Sequence, residues 1–112
     1  MSYYEPNDLK NFPKIGELAP ELAEKFFAYY GAATSGDTAL SSREKALIAL
    51  AVAHALKCPY CIDAYTTTSL ERGIDPQQMM EAVHISAAMA AGISLVHSVQ
   101  MQNHLKVKGV ID

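Results

Sequence analysis

The sequence predicts an all-α protein, and three observations carry the prediction. Apolar residues recur at helical spacing in several successive segments. Helix-start signals open those segments: Pro20, Ser41 with Glu44, Pro59, and Asp75 with Pro76. No stretch reads as a strand, and Asn-Gly or Asp-Gly hairpin signals are absent. A chain of 112 residues without an internal repeat is expected to be one domain over 1–112: a bundle of about five to six helices, with residues 1–19 as an N-terminal arm.

The arm is punctuated by Pro6, Pro13 and Gly16, so only a single helical turn is expected, over 8–12. Tyr3, Tyr4, Leu9, Phe12 and Ile15 are available to dock on the body. The first helix is predicted over 20–30: Pro20 suits the first helical position, Leu22, Phe26, Tyr29 and Tyr30 make an apolar stripe, and Gly31 can end it. The second, over 42–57, opens on a capping box of Ser41 and Glu44. It is apolar almost all round and should be the buried centre. The third runs over 59–72, with Cys58 as N-cap and Gly73 closing it, although Thr66, Thr67 and Thr68 lower its propensity. Asp75 then caps a fourth helix over 76–91, Gly92 interrupts, and a fifth covers 93–105.

Composition excludes several functions. With 9 basic and 12 acidic residues, a net charge of −3 and no basic cluster, the chain lacks the footprint of a nucleic-acid binder. No uninterrupted run of about 18 apolar residues occurs, so no membrane span is expected. The start shows neither a basic nor an apolar leader segment, so a cytoplasmic location is expected. Half the residues are apolar, and the surplus of Ala, Leu, Ile and Val suggests a subunit interface.

The one feature able to carry covalent chemistry is Cys58-Pro59-Tyr60-Cys61, which holds both cysteines of the chain. In the cytosol such a pair is more often redox-active or metal-binding than a structural staple. Residues three apart on a helix have Cβ atoms about 5–6 Å apart, within reach of a disulfide. At a helix N-terminus free amides and the dipole lower a thiol pKa, and thiolate is the nucleophile. Local physics favours Cys58 as attacker, since a capping sulfur meets the amides directly. A base placed along the third helix would favour Cys61. Two blander readings compete: an inert buried pair and a structural zinc site, for which two cysteines supply too few ligands. No metal and no organic cofactor is expected. The tetrapeptide also occurs in glutaredoxins, but there it follows a strand; here it follows an Ala-rich helix.

Arg43-Glu44-Lys45-Ala46-Leu47-Ile48-Ala49-Leu50-Ala51-Val52-Ala53, Cys58-Pro59-Tyr60-Cys61-Ile62-Asp63-Ala64-Tyr65, Glu71-Arg72-Gly73-Ile74 and Met80-Glu81-Ala82-Val83 together resemble the carboxymuconolactone decarboxylase superfamily, in its alkylhydroperoxidase D-like branch. The resemblance implies an all-helical chain assembled as a homo-oligomer, a trimer or hexamer. It implies a thiol-disulfide oxidoreductase that reduces a peroxide or disulfide substrate with electrons from a dithiol donor. It also assigns the attack to the second cysteine, Cys61. The usual proton relay is missing, however. Its glutamate position holds Ala46, and its histidine positions hold Tyr65 and Tyr60. Glu44 is two residues from the glutamate position, about 200° round the helix. Candidate substitutes are His54, one turn before Cys58, Tyr65, one turn after Cys61, and His84 and His97 further on. The start Ser2-Tyr3-Tyr4-x-Pro6-x-Asp8-Leu9 further resembles a peroxidase-like subgroup associated with arsenosugar biosynthesis. The expected function is therefore a dithiol peroxidase or disulfide reductase acting through Cys58 and Cys61. The alternatives are a dithiol protein that binds arsenite or another soft metal, and a lactone decarboxylase.

Overall fold

A computed structural model describes residues 5–112. Tyr3 and Tyr4, expected to dock on the body, lie outside the described residues. The chain is all-helical, with no strand among those residues. A 3-10 helical arm, Pro6–Leu18, precedes four α-helices: α1 (Pro20–Thr34), α2 (Ser42–Ala55), α3 (Pro59–Glu71) and α4 (Pro76–Val107).

The arm is longer than the single turn expected. Pro6 sits in its first turn and Pro13 inside it; the missing amides disfavour a continuous α-helix. Phe12 pins it to α1, packing edge-on against Phe27 at 5.1 Å and against Phe26 and Tyr30 at 6.1 Å. Gly16 makes the approach possible, since a Cβ there would lie 2.6 Å from that of Ala23.

Helix α1 runs through Gly31, where its end was expected, to Thr34. Gly31 keeps a helical backbone; the left-handed glycine of this connection is Gly36, at φ 78°. The Lys45 ammonium donates to the Ala32 and Ser35 carbonyls at 3.3 and 2.8 Å. That places a buried cation at the negative end of α1, where the dipole favours it.

Helix α2 opens on the expected capping box: the Ser41 amide donates to Glu44 at 2.8 Å, and the Glu44 amide to the Ser41 hydroxyl at 3.1 Å. It is the hub, packing on α1, α3 and α4. Only one face is buried, that of Ala46, Leu50 and Ala53; Ile48, Val52 and Leu56 stay substantially exposed. The core is completed by Tyr65, Ile74 and Ala82.

The main correction concerns the C-terminal third. The two helices expected there, broken at Gly92, are the single 32-residue helix α4. One glycine costs a helix about 1 kcal/mol and does not stop it when good helix formers flank it; here Ala90 and Ala91 precede it. As one element α4 is long and apolar enough to cross a membrane by length and composition alone, contrary to the expectation from the interrupted pattern. It packs on α2 near its start, and Ala82 is its buried residue. Ile85, Met89, Ile93 and Val96 are all more than half exposed. The radius of gyration is 19.4 Å, against about 13 Å for a compact chain of this length.

Candidate functional site

The cysteines sit where α2 turns into α3. Helix α2 ends with Lys57 in the left-handed region, at φ 56°. The Cys58 amide donates to the Ala53 carbonyl at 3.0 Å and the Lys57 amide to that of His54 at 3.2 Å, a Schellman closure. Cys58 is then the N-cap of α3 and Pro59 its first residue, as expected from sequence. The Cys58 sulfur accepts the Cys61 amide at 3.3 Å. Both thiols are free and half-buried.

This geometry divides the two sulfurs. The Cys58 sulfur takes the Cys61 amide hydrogen bond. Burial pushes the Cys61 thiol up to about 11, and its hydrogen bond to Cys58 and the Cys58 charge act in the same direction. The arrangement is an acceptor sulfur at Cys58 beside a proton-bearing sulfur at Cys61.

Two clefts flank the pair. The first, about 380 Å³, lies between the arm and the start of α3, and Leu9, Phe12, Ile15, Tyr30 and Tyr60 line it with both cysteines. Asp8 and Asn11 are its polar lining residues from the arm, and the Tyr60 hydroxyl donates to the Asp8 carboxylate at 3.0 Å. The second, about 320 Å³, lies among α1, α2 and α3, and includes Lys45, Cys61 and Tyr65. Tyr30 and Cys61 line both.

Among the sequence candidates, Tyr65 is brought close. It is buried, and its hydroxyl is hydrogen-bonded to that of Tyr30 at 2.5 Å. His54 lines neither cleft, and its Nδ1 donates to the Leu50 carbonyl at 2.8 Å, within its own helix. His84 and His97 lie on α4, which packs on α2, and line neither cleft. Ala46, at the family's glutamate position, is fully buried core. Glu44 does not replace that glutamate: its capping bonds with Ser41 hold its carboxyl below the usual value. Among the described residues, no three of His, Cys, Asp and Glu come together as a metal would require.

Tyr30 is the residue that sequence reasoning placed only in an apolar stripe. Burial, the bond to Tyr65 and the nearby cysteines hold its phenol well above the ordinary tyrosine value. The stripe differs from the expected one in part: Leu22 and Tyr29 are largely exposed, while Phe27 joins Phe26 and Tyr30 in the aromatic cluster with Phe12.

Known proteins place this site in a family. In Paracoccus denitrificans, a protein described as "Uncharacterized protein 4 in cox locus" is 42% identical over 62 residues, which are 55% of this chain and 56% of that protein. The chain thus spans little more than half the length of that curated relative. A crystal structure of the apo form of a carboxymuconolactone decarboxylase family protein from Legionella pneumophila superposes with a TM-score of 0.64 at 28% identity, covering 83% of this chain and 89% of that one. The sequence model of the carboxymuconolactone decarboxylase family matches residues 20–102, which hold all of α1 to α3, the cysteine corner and most of α4 and leave out the arm. With sequence and fold in agreement over most of its length, this chain belongs to the carboxymuconolactone decarboxylase family.

Proposed function

We propose that the protein is a thiol-disulfide oxidoreductase of the alkylhydroperoxidase D-like kind, reducing a peroxide through Cys58 and Cys61. The observation that carries the reading is the placement of both thiols in the first turn of α3, one as N-cap, opening on an apolar cleft. Cys58 attacks as thiolate, and its sulfur takes the terminal oxygen to become a sulfenic acid. Cys61 then displaces that oxygen as water, closing the disulfide. An external dithiol regenerates the pair. This order follows the local argument for Cys58 and departs from the assignment of the attack to Cys61 that the resemblance implies.

The test is dithiol-dependent peroxide turnover, with free thiols counted before and after peroxide, for wild type, Cys58→Ser and Cys61→Ser. Wild type should lose two thiols and turn over. Cys58→Ser should do neither, and Cys61→Ser should stop at a sulfenic acid that a dimedone probe traps. If wild-type thiols survive peroxide, the reading is wrong. Tight stoichiometric arsenite binding would then favour the soft-metal alternative.

We also propose that α4 packs against other copies of the chain. Its exposed Ile85, Met89, Ile93 and Val96 and the large radius of gyration support this reading. The same helix carries His84, Ser86, Ser94, His97 and Ser98, which suit a protein interface better than lipid. Sedimentation in detergent-free buffer at a multiple of 12.1 kDa is expected, and a stable monomer would overturn it.

A further inference from the structure

The thiol redox reading leaves one chemical need unfilled. When a thiolate attacks a peroxide, the O–O bond breaks and an alkoxide leaves, which needs a proton. The family's relay positions hold Ala46, Tyr60 and Tyr65 here. The Tyr60 hydroxyl is committed to Asp8. The remaining phenol that lines the arm-side cleft with both cysteines is that of Tyr30.

We propose that the Tyr30 hydroxyl is the proton donor to the leaving oxygen of a peroxide attacked in the arm-side cleft, and that Tyr65 is the residue that positions it. Tyr30 lines the same cleft as both cysteines, so a peroxide held against Cys58 also meets Tyr30. Tyr65 does not line that cleft, but its hydroxyl fixes that of Tyr30 across the α1–α3 contact. Two phenols carry two protons and their mutual hydrogen bond uses one, so the pair keeps one to give. Burial keeps the Tyr30 phenol neutral and therefore able to donate.

The step balances as follows. The Cys58 thiolate bonds to the terminal peroxide oxygen and the O–O bond breaks, so sulfur is oxidised to a sulfenic acid. The leaving alkoxide takes the Tyr30 proton and departs as an alcohol. The Cys61 thiol returns a proton to the Tyr30 phenolate, its sulfur bonds to that of Cys58, and hydroxide leaves, protonated by solvent.

The inference rests on the redox reading, and leaving-group dependence separates the two. Thiol loss is followed in the full chain with cumene hydroperoxide, whose alkoxide needs a proton; with peracetic acid, whose acetate does not; and with iodoacetamide, whose iodide does not. Tyr30→Phe should slow the cumene hydroperoxide reaction by about 100-fold, the peracetic acid reaction by less than about tenfold, and alkylation not at all. Tyr65→Phe keeps the donor but frees it, and should slow the first reaction several-fold and leave alkylation unchanged. It also tests the proposal should Tyr30→Phe fail to fold. Equal slowing with all three reagents, or no slowing with cumene hydroperoxide in either variant, would overturn the donor role. Wild-type thiols that survive both oxidants while iodoacetamide alkylates them would remove the redox reading itself, and the donor role with it.

Discussion

The corner between α2 and α3 and the corner between α3 and α4 are built on one plan with different residues. Each closes a helix with the same pair of bonds: Cys58 amide to Ala53 at 3.0 Å and Lys57 to His54 at 3.2 Å in the first, Ile74 to Ser69 at 3.0 Å and Gly73 to Leu70 at 3.1 Å in the second. Each opens the next helix with a cap, a proline, and a cap side chain that accepts the amide of the third helical residue, from Cys61 at 3.3 Å and from Gln78 at 2.8 Å. The second corner holds residues that fit those positions best: Gly73 at φ 77°, Asp75 as cap and Gln78 closing a capping box. The first holds Lys57 at φ 56°, a sulfur as cap and a thiol where a Glu or Gln would return the bond. The fold does not need cysteines there. Of the two, Cys58 sits where a backbone amide meets the sulfur directly.

The largest expected effect comes from rebuilding the first corner on the pattern of the second. Cys58→Asp should abolish peroxide turnover and peroxide-dependent thiol loss. The same change should raise stability by roughly 0.5–1 kcal/mol, because a carboxylate caps a helix better than sulfur does. Turnover assays and denaturant titration on one preparation check both halves. Retained turnover would mean that Cys61 attacks alone; a large loss of stability would mean that the two caps are not equivalent.

The second effect concerns how far the two thiols differ. With Cys61 raised to about 11, iodoacetamide near pH 8 should label Cys58 at least about tenfold faster than Cys61, read by mass spectrometry of peptides. In Cys58→Ala the hydrogen bond and charge of Cys58 are gone while burial remains, so Cys61 should titrate lower than in wild type but not at its free value. The sign for stability follows. The Cys61 pKa is higher folded than unfolded, so its contribution is fully present below the unfolded value of about 8.5 and is lost as pH rises through about 11. Solvent screening at this partly exposed thiol limits that loss to on the order of 1 kcal/mol. Unfolding midpoints from pH 8 to 11 should fall more steeply for wild type than for Cys61→Ser.

This contrast also marks what sequence could and could not supply. Local signals were sufficient for both corners: Pro59 after Cys58 and Pro76 after Asp75 fix the helix starts, and Gly73 marks a stop. Gly31 and Gly92 misled because a glycine ends a helix only where the chain then takes a left-handed turn, and that depends on the residues beyond it. The arm was underestimated because its prolines bar an α-helix but permit a 3-10 helix. The cysteines were legible from their spacing. Tyr30 was not, because in sequence it is one aromatic among Phe26, Phe27 and Tyr29, and its meeting with Tyr65 is a tertiary contact between α1 and α3. His54, near Cys58 in sequence, lines neither cleft and turns its Nδ1 to the Leu50 carbonyl, which sequence spacing alone does not reveal.

A smaller change should follow at the second corner. Asp75→Ala removes the side chain that accepts the Gln78 amide and should cost about 1 kcal/mol, lowering Tm by roughly 4–8 °C. Peroxide turnover should be unchanged. Cys58→Ala should cost less stability than this, since its cap bond is long and sulfur is a weak acceptor. Equal costs would show that sulfur caps as well as carboxylate, and the first corner would then carry no structural sacrifice.

The smallest effect separates backbone strain from chemistry. Lys57 is the one described non-glycine residue with positive φ, and a side-chain-bearing residue there costs roughly 1–2 kcal/mol. Glycine removes that cost but adds freedom to the unfolded chain, which returns about 0.5–1 kcal/mol. Lys57→Gly should therefore stabilise the protein by about 0.5 kcal/mol, measured by denaturant titration. If the strain serves only to end α2, the Cys58 alkylation rate should stay as in wild type. If the ammonium helps to hold the thiolate, alkylation near neutral pH should slow in Lys57→Gly, and sodium chloride should slow wild type but not the variant. The first outcome leaves Cys58 activated by backbone alone. The second would place the corner's cation, beside its amides, in the chemistry.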